Sequence, residues 1–383
     1  MSDGVGPLSG IRIVEIAGLG PAPFCGMMLS DMGADVIRID RAALVRNPDD
    51  RSTGPDLLNR GRRSVGIDLK DPEGVELVLQ LIEGADGLIE GFRPGVMERL
   101  GLAPEVCLGK NPKLVFGRMT GWGQDGPLSL TAGHDIDYIA LSGVLHAIGK
   151  EAPVPPLNLV GDFGGGGMFL AFGMVTGILH ATRTGVGQVV DASMVDGSAV
   201  LSTMIWALSN MGAWDLEQRS ANMLDGAAPW YDSYETADGR HMAVGAIEPQ
   251  FYVELLRLLA LDPATLPRQH DRDGWPMLRS VIGERFKSKT LVEWALIFED
   301  SDACVAPVLT FTEAANHPHN MKRGTFVAVD NVMQPSPAPR FSSSTLPGPG
   351  RIPHVGSHTS EILTELGISA DEINTLRQRK IVG

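Results

Sequence analysis

Cysteine is scarce in this chain of 383 residues, which has only Cys25, Cys107 and Cys304. They are too few and too scattered for a disulfide framework or a zinc site. They suit a reducing cytosol, so a cytoplasmic protein without a structural metal is expected. Net positive charge is missing as well. At −14 overall, the chain would be repelled by a phosphate backbone, which argues against general nucleic-acid binding. The opening MSDGVGPLSG lacks the charged-then-apolar pattern of a signal peptide. Long apolar runs are lacking too: residues 168–180 (MFLAFGMVTGILH) make 13, short of the roughly 20 that cross a bilayer. With Asp162 before it and Arg183 after it, the run is expected to be a buried core helix and not a membrane span. There is no repeat of solenoid period. What remains, 43% hydrophobic and 20% charged residues, is ordinary for a soluble globular enzyme. The length exceeds one core, so two domains are expected.

Residues 11–17 (IRIVEIA) are rich in β-branched side chains, as a strand buried on both faces should be. A turn, a Pro-started helix and a glycine stop follow over 18–34, and a second buried strand over 34–40. Strand, helix, strand in so short a span predicts a βαβ unit and a parallel sheet. Gly18 and Gly20 supply two glycines of a dinucleotide fingerprint, but residue 23 is proline, so no free dinucleotide site is expected. Residues 64–102 repeat the logic. A strand at 64–69 leads to a helix with Val75, Val78, Leu79 and Ile82 on one face. A strand at 85–91 then feeds a loop carrying Arg93 and a short helix carrying Arg99. Residues 113–123 form another buried strand ending in a glycine turn. Units of this kind place ligand-binding loops at the carboxyl ends of the strands. Residues 192–228 have helical apolar content without a βα pattern. A hairpin turning at Asp238 and Gly239 follows, and helical stretches near 250–261 and 275–300 complete a smaller α+β domain. The Pro- and Ser-rich 333–353 is a linker or an extended crossing segment. Short terminal helices are expected at 359–366 and 371–378.

The chemistry concentrates in residues 133–167. His134 sits at the entrance of a helix starting near Asp135, with Ile136, Ile139, Ala140, Gly143, Val144 and Ala147 on one face. There the unpaired N–H groups and the helix dipole favour a neutral imidazole, as a general base requires. It is either such a base or a capping histidine. Asp162 precedes the run from Gly164 to Gly167, whose turn would let a ligand approach the backbone and offer N–H groups to an anion. It is either an acid/base group or a plain N-cap. A helix start lowers a carboxyl pKa, whereas a proton donor near neutrality needs it raised by burial. Between residues 38 and 63 lie Arg38, Arg41, Arg46, Arg51, Arg60, Arg62 and Arg63 against Asp40, Asp49, Asp50 and Asp56. This local basic excess is either a phosphate-binding patch or a solvated loop. His317 and His319 lack a third ligand nearby, so a loop is expected there and no metal site.

Several long stretches carry a resemblance: PLSGIRIVEIAGLGPAPF, DMGADVIRIDR, LIEGFRPGVMERLGL, RMTGWGQDGP, GHDIDYIALSG, NLVGDFGGG and HVGSHTSEIL. Over nearly its whole length the chain resembles the family III CoA-transferase superfamily, in its bacterial α-methylacyl-CoA racemase branch. The resemblance implies an interlocked homodimer with a Rossmann-like parallel-sheet large domain and a smaller α+β domain. It implies a large CoA-binding domain over 1–191, a linker over 192–228, a small domain over 229–311, a second linker over 312–336, and a return to the large domain over 337–383. The implied activity is epimerisation of 2-methylacyl-CoA thioesters by two-base 1,1-proton transfer through an enolate. His134 and Asp162 are then the two acid/base residues, and Glu248 is an acid that bonds the histidine from the partner's small domain. CoA contacts are implied for Arg41, for Ile67, Asp68, Leu69 and Lys70, and for Gly91, Phe92, Arg93 and Arg99. They extend to Gly133, Asp135, Ile136, Asp137 and Tyr138. No metal or redox cofactor is called for, since CoA is part of the substrate. Transfer of CoA between carboxylic acids, with Asp162 as nucleophile, is the rival activity. It has no need of a histidine opposite the aspartate. Met204, Met211 and Met223 mark an adaptable region that could face the acyl chain.

Overall fold

The β-branched runs of the N-terminal half become a six-stranded parallel sheet in the computed structural model, which describes residues 6–45 and 56–383. Its strands are β1 (Arg12–Ile16), β2 (Asp35–Arg41), β3 (Arg63–Ile67), β4 (Gly87–Glu90), β5 (Val115–Thr120) and β6 (Gln188–Ser193). They lie in the order β3-β2-β1-β4-β5-β6, so the strand order reverses between β1 and β4. Helices α1 (Pro21–Asp31), α2 (Pro72–Glu83), α3 (Asp135–Leu141), α4 (Met168–Thr184) and α5 (Met194–Leu201) belong to the same unit. The two-residue period of a strand divides the core. Val14, Ile37, Ile39 and Val65 face Leu77, Val78 and Ile82 of α2. Ile13, Val36, Ile89 and Val115 face Cys25 and Leu29 of α1 and Leu170, Met174 and Ile178 of α4. Burial of each such side chain contributes about 1.5–3 kcal/mol, and the charged residues among these strands, such as Glu15, Asp40 and Arg63, are held in ion pairs.

Two compact units make up the chain: Met1–Ser142 with Leu157–Leu201 and Gly324–Gly383, and Gly143–Pro156 with Ser202–Arg323. In the larger, the C-terminal tail covers the free edge of β3. The amides of Asp68 and Gly383 bond across the edge to Ile381 and Gly66, at 2.8 and 3.0 Å. His358 and Thr359 accept from the amides of Ser64 and Gly66, both at 3.1 Å. An edge left open would be a template for aggregation. The smaller unit builds an antiparallel sheet from β7 (Tyr231–Glu235), β8 (His241–Gly245) and β9 (Val305–Pro307). Helices α6 (Pro249–Leu258), α7 (Trp275–Phe286) and α8 (Leu291–Phe298) pack there around Trp230, Phe286 and Trp294.

Three local expectations change. The run Gly164–Gly167 is not a turn: a π-wound segment, Leu159–Gly167, continues directly into α4. Its glycines serve packing. A Cβ on Gly165 would lie 2.6 Å from the Ser198 amide nitrogen of α5, and one on Gly167 2.6 Å from the ring of Phe24 in α1. The apolar helix is consequently longer than the run read from sequence. At 26 residues, Leu159–Thr184 is long and apolar enough to cross a membrane, yet Leu170, Ala171, Met174 and Ile178 fasten it to the sheet. The basic segment is mostly internal. Arg62 pairs with Glu15 at 3.0 Å, both side chains fully buried. Arg60 holds Asp31 and, at 2.9 Å, Gln334. Arg38 meets Asp40 at 3.2 Å, and Arg63 meets Asp35 at 2.7 Å and Glu365 at 2.6 Å. Arg46 and Arg51 lie outside the described residues. Arg41 is exposed at the end of β2.

Candidate active site

The site grows from two glycines at the carboxyl end of β5. A Cβ on Gly121 would overlap the ring of Tyr138, and one on Gly133 would come within 2.7 Å of it. Without those atoms, Tyr138 packs edge-on against Trp122 with centroids 4.7 Å apart and donates its hydroxyl to the Gly133 carbonyl. That contact docks α3 on the end of the sheet. His134 is then its N-cap in extended backbone conformation. The His134 amide donates to Asp137 Oδ2 at 2.9 Å, and the Asp137 amide returns to the His134 carbonyl at 2.8 Å. These bonds fix the backbone and leave the imidazole exposed. The helical face expected beyond it stops early: α3 ends at Leu141, and Gly143, in a left-handed conformation, starts a separate short helix.

Asp162 lies in the first turn of the π-wound segment, inside the helix and not ahead of it. Its amide donates to Asp135 Oδ1 at 2.7 Å, and its own Oδ2 accepts from the side chain of Asn158 at 3.1 Å. The backbone at Gly20, after β1, closes the other side, since a Cβ there would stand 3.8 Å from Asp162 Oδ2. Burial pushes the Asp162 carboxyl above its ordinary range. Asn158 pulls it down, the charge of Asp135 adds to the rise, and His134 offsets part of it. The contest between burial and helix start therefore goes to burial. Tyr138, under the same negative field from Asp162, Asp137 and Asp135 and eased by Arg93, is pushed up to about 12, burial again the largest cause.

The remaining residues named from sequence are distributed along the same edge of the sheet. Arg41 ends β2. Ile67, Asp68, Leu69 and Lys70 follow β3, with Ile67 buried and Lys70 exposed. Gly91, Phe92 and Arg93 follow β4, where the Phe92 amide bonds Glu90 at 2.6 Å. Arg99 is exposed at the end of the helix Val96–Arg99. A cavity of about 150 Å³ opens where the loops after β1, β4 and β5 meet, lined by Leu19, Gly91, Arg93, Trp122, Gly133 and Tyr138. This is the reversal point of the strand order, where open α/β sheets bind their ligands. Ile136 and Asp137 are exposed on α3. Glu248 belongs to the smaller unit, where it is the exposed N-cap of α6 and Cys304 feels its charge. Asn158 was not singled out from sequence, and Gly20 only as part of an incomplete dinucleotide fingerprint. The only signal for Asn158 was an amide one helical turn before the aspartate. Among the described residues no cluster could hold a metal.

Known proteins resemble this chain over nearly its full length. The chain is 48% identical to the α-methylacyl-CoA racemase of Mus musculus, covering 98% of this chain and 97% of that one. To the α-methylacyl-CoA racemase of Homo sapiens it is 46% identical over the same shares. Among solved structures, a CAIB/BAIF family protein from Brucella suis superposes with a TM-score of 0.79 at 24% identity, covering 94% of this chain and 99% of that one. The profile of CoA-transferase family III matches residues 8–359, and the chain belongs to that family.

Proposed function

We propose that this enzyme interconverts the two C2 epimers of 2-methylacyl-CoA thioesters by 1,1-proton transfer. One observation carries the reading: a histidine and an aspartate whose carboxyl burial raises converge at the carboxyl edge of the sheet, close enough for their charges to couple. The proton beside a thioester leaves to give an enolate, and inversion needs a group on each face of it. In one direction neutral His134 takes the proton and protonated Asp162 returns one to the opposite face; in the other the roles exchange. Burial moves the Asp162 carboxyl upward from its ordinary range, the direction that favours the proton-bearing form used in the first direction. The helix starts at Asp135 and Leu159 bring the positive ends of two peptide dipoles to the charge that develops on the thioester oxygen. One proton moves and no electrons do, so the reaction asks for no redox group.

The CoA handle is assigned to Arg41, residues 67–70, 91–93 and 133–138, and Arg99, all in the larger unit. Glu248 joins His134 from a second copy of the chain. An exposed apolar stripe on α4 supports an interlocked dimer: Met168, Phe172, Val175 and Leu179 are 43%, 70%, 39% and 48% exposed. Such a stripe at helical spacing needs a cover. Free cysteines, Cys25 and Cys107 buried and Cys304 exposed, fit a reducing compartment such as the cytoplasm. The acyl chain is assigned to the methionine region, where Met204 and Met211 are exposed.

A single 2-methylacyl-CoA epimer incubated in D2O should yield both epimers with deuterium at C2. His134→Ala should lose that exchange while keeping its fold and its CoA affinity. Movement of CoA to an added free acid without exchange at C2 would replace this reading with CoA transfer through Asp162 as nucleophile.

A further inference from the structure

We propose that the Asp135 side chain is a positioning residue for Asp162, pinning its backbone and biasing its carboxyl toward the proton-bearing form. This rests on the racemase reading for its purpose, though not for its geometry. Asp135 is only 8% exposed, so its carboxylate is not offered to solvent as the first-turn acid of a surface helix would be. One oxygen, Oδ1, accepts the Asp162 amide at 2.7 Å. The other, Oδ2, is buried without a hydrogen-bond partner. Leaving a buried polar atom unmet costs about 1–3 kcal/mol. A neutral asparagine could accept the same amide through one oxygen, so what the carboxylate adds is charge. The chain makes room for it: a Cβ on Gly161 would stand 2.5 Å from Asp135 Oδ1.

The surroundings define what that charge does. From α3, His134, Asp135 and Tyr138 face Asp162; from its own helix comes the neutral amide of Asn158; the end of α1 contributes the backbone at Gly20 and no charge. Asp137 and Arg93 reach the group only through the field at Tyr138. Asp135 is thus the sole negative side chain acting on Asp162 from α3, and like charges at close range favour protonation of one of them.

The test is Asp135→Asn, which keeps the acceptor and removes the charge. With Asp side-chain carboxyl carbons labelled and Asp162 assigned through Asp162→Asn, NMR titration of the unliganded enzyme should show Asp162 titrating at lower pH in Asp135→Asn than in the wild type. The pH profile of kcat/KM for C2 exchange should move the limb that reports Asp162 to lower pH and leave the other limb in place. Asp135→Ala, which loses the tether as well, should drop kcat on the order of a hundredfold across the profile, the scale of a 1 Å misplacement. Should Asp135→Asn not fold, Gly161→Ala presses the carboxylate away from Asp162 and should move the titration the same way. Identical Asp162 titration in wild type and variant, or a uniform loss of rate with no shift of either limb, overturns the proposal. A wild-type enzyme that exchanges no deuterium, but whose Asp162 titration responds to Asp135→Asn, retains the positioning role and drops the racemase reading.

Discussion

Replacing Gly165 with alanine adds one methyl group where the segment bearing Asp162 meets α5. That methyl would lie 2.6 Å from the Ser198 amide nitrogen, 2.9 Å from the Gly197 carbonyl carbon and 3.0 Å from Ser198 Oγ. Ordinary contacts begin near about 3.5 Å, so the two helices must part by roughly 0.8 Å. Two of the three atoms are backbone, and no flexible side chain can swing away to absorb the shift. Two effects compete. Alanine in a helix interior gains up to about 1 kcal/mol over glycine, whereas overpacking costs about 1–3 kcal/mol. Backbone against backbone puts the second at the top of its range, leaving a net loss of about 2 kcal/mol. For a unit of this size that is a drop in Tm of about 4–8 °C. Activity should suffer more than stability, since Asp162 rides on the same helix one turn earlier, and a displacement near 1 Å can cost on the order of a hundredfold in rate. Scanning calorimetry and deuterium exchange at C2 read the two effects. The control is Gly109→Ala in the helix Pro104–Lys110, where nothing lies within 4 Å of the added atom; it should gain about 0.5–1 kcal/mol. A Gly165→Ala protein with wild-type Tm and full exchange would refute the packing account of the polyglycine run.

Two further outcomes follow from the larger unit. Arg62→Met should cost about 3–5 kcal/mol in urea unfolding, because it leaves the Glu15 carboxylate buried and unpaired. Burial already pushes Glu15 up against the pull of Arg62. Without Arg62 the folded state holds that proton more tightly than the unfolded chain does. Stability of the variant therefore falls as pH rises above the unfolded carboxyl range of about 4.3, and the deficit shrinks toward acid pH. A deficit independent of pH would remove Glu15 as its cause. On the proposed dimer, Phe172→Asp on the exposed stripe of α4 should shift sedimentation toward the monomer while circular dichroism stays unchanged. Unaltered association would remove that face from the interface.

How much of this the sequence discloses depends on whether the deciding contact is local. Strands β1 to β5 are legible because both of their faces are buried, and their β-branched runs record it. Strand β6 is not, since it lies at the sheet edge with the exposed, polar pattern QVVDAS. The hairpin Phe326–Val329 with Val332–Pro335 is hidden for a similar reason, being short and largely uncovered. The polyglycine run is misleading because glycine serves equally for a turn and for close helix packing. Its partner, Gly197, is far along the chain. Charge is the least legible property. Arg60 and Arg62 look like a phosphate patch by composition, and only the fold shows Asp31 and Glu15 waiting for them. His134 and Asp162 stand out because each has helix signals around it. Glu248 precedes a Pro-started helix as well, but nothing in the sequence pairs it with His134, and that role came from resemblance alone.

The rival chemistries of this family differ in what they ask of one aspartate, and that difference locates the determinant. Transfer of CoA needs the carboxylate ionised and able to attack; epimerisation needs it to hold a proton and give it up on one face. An aspartate cannot encode that choice by itself. Here burial, the charge of Asp135 and the histidine that begins α3 act on Asp162 together, and the first two outweigh the help offered by Asn158 and His134. None of these groups sits on the helix that carries Asp162 except Asn158. The balance is therefore set by how α3 docks, which rests on Tyr138 filling the space left by Gly121 and Gly133. On this reasoning a single-residue route from epimerisation toward transfer would begin at Asp135 or at the Tyr138 contact, before it touched Asp162.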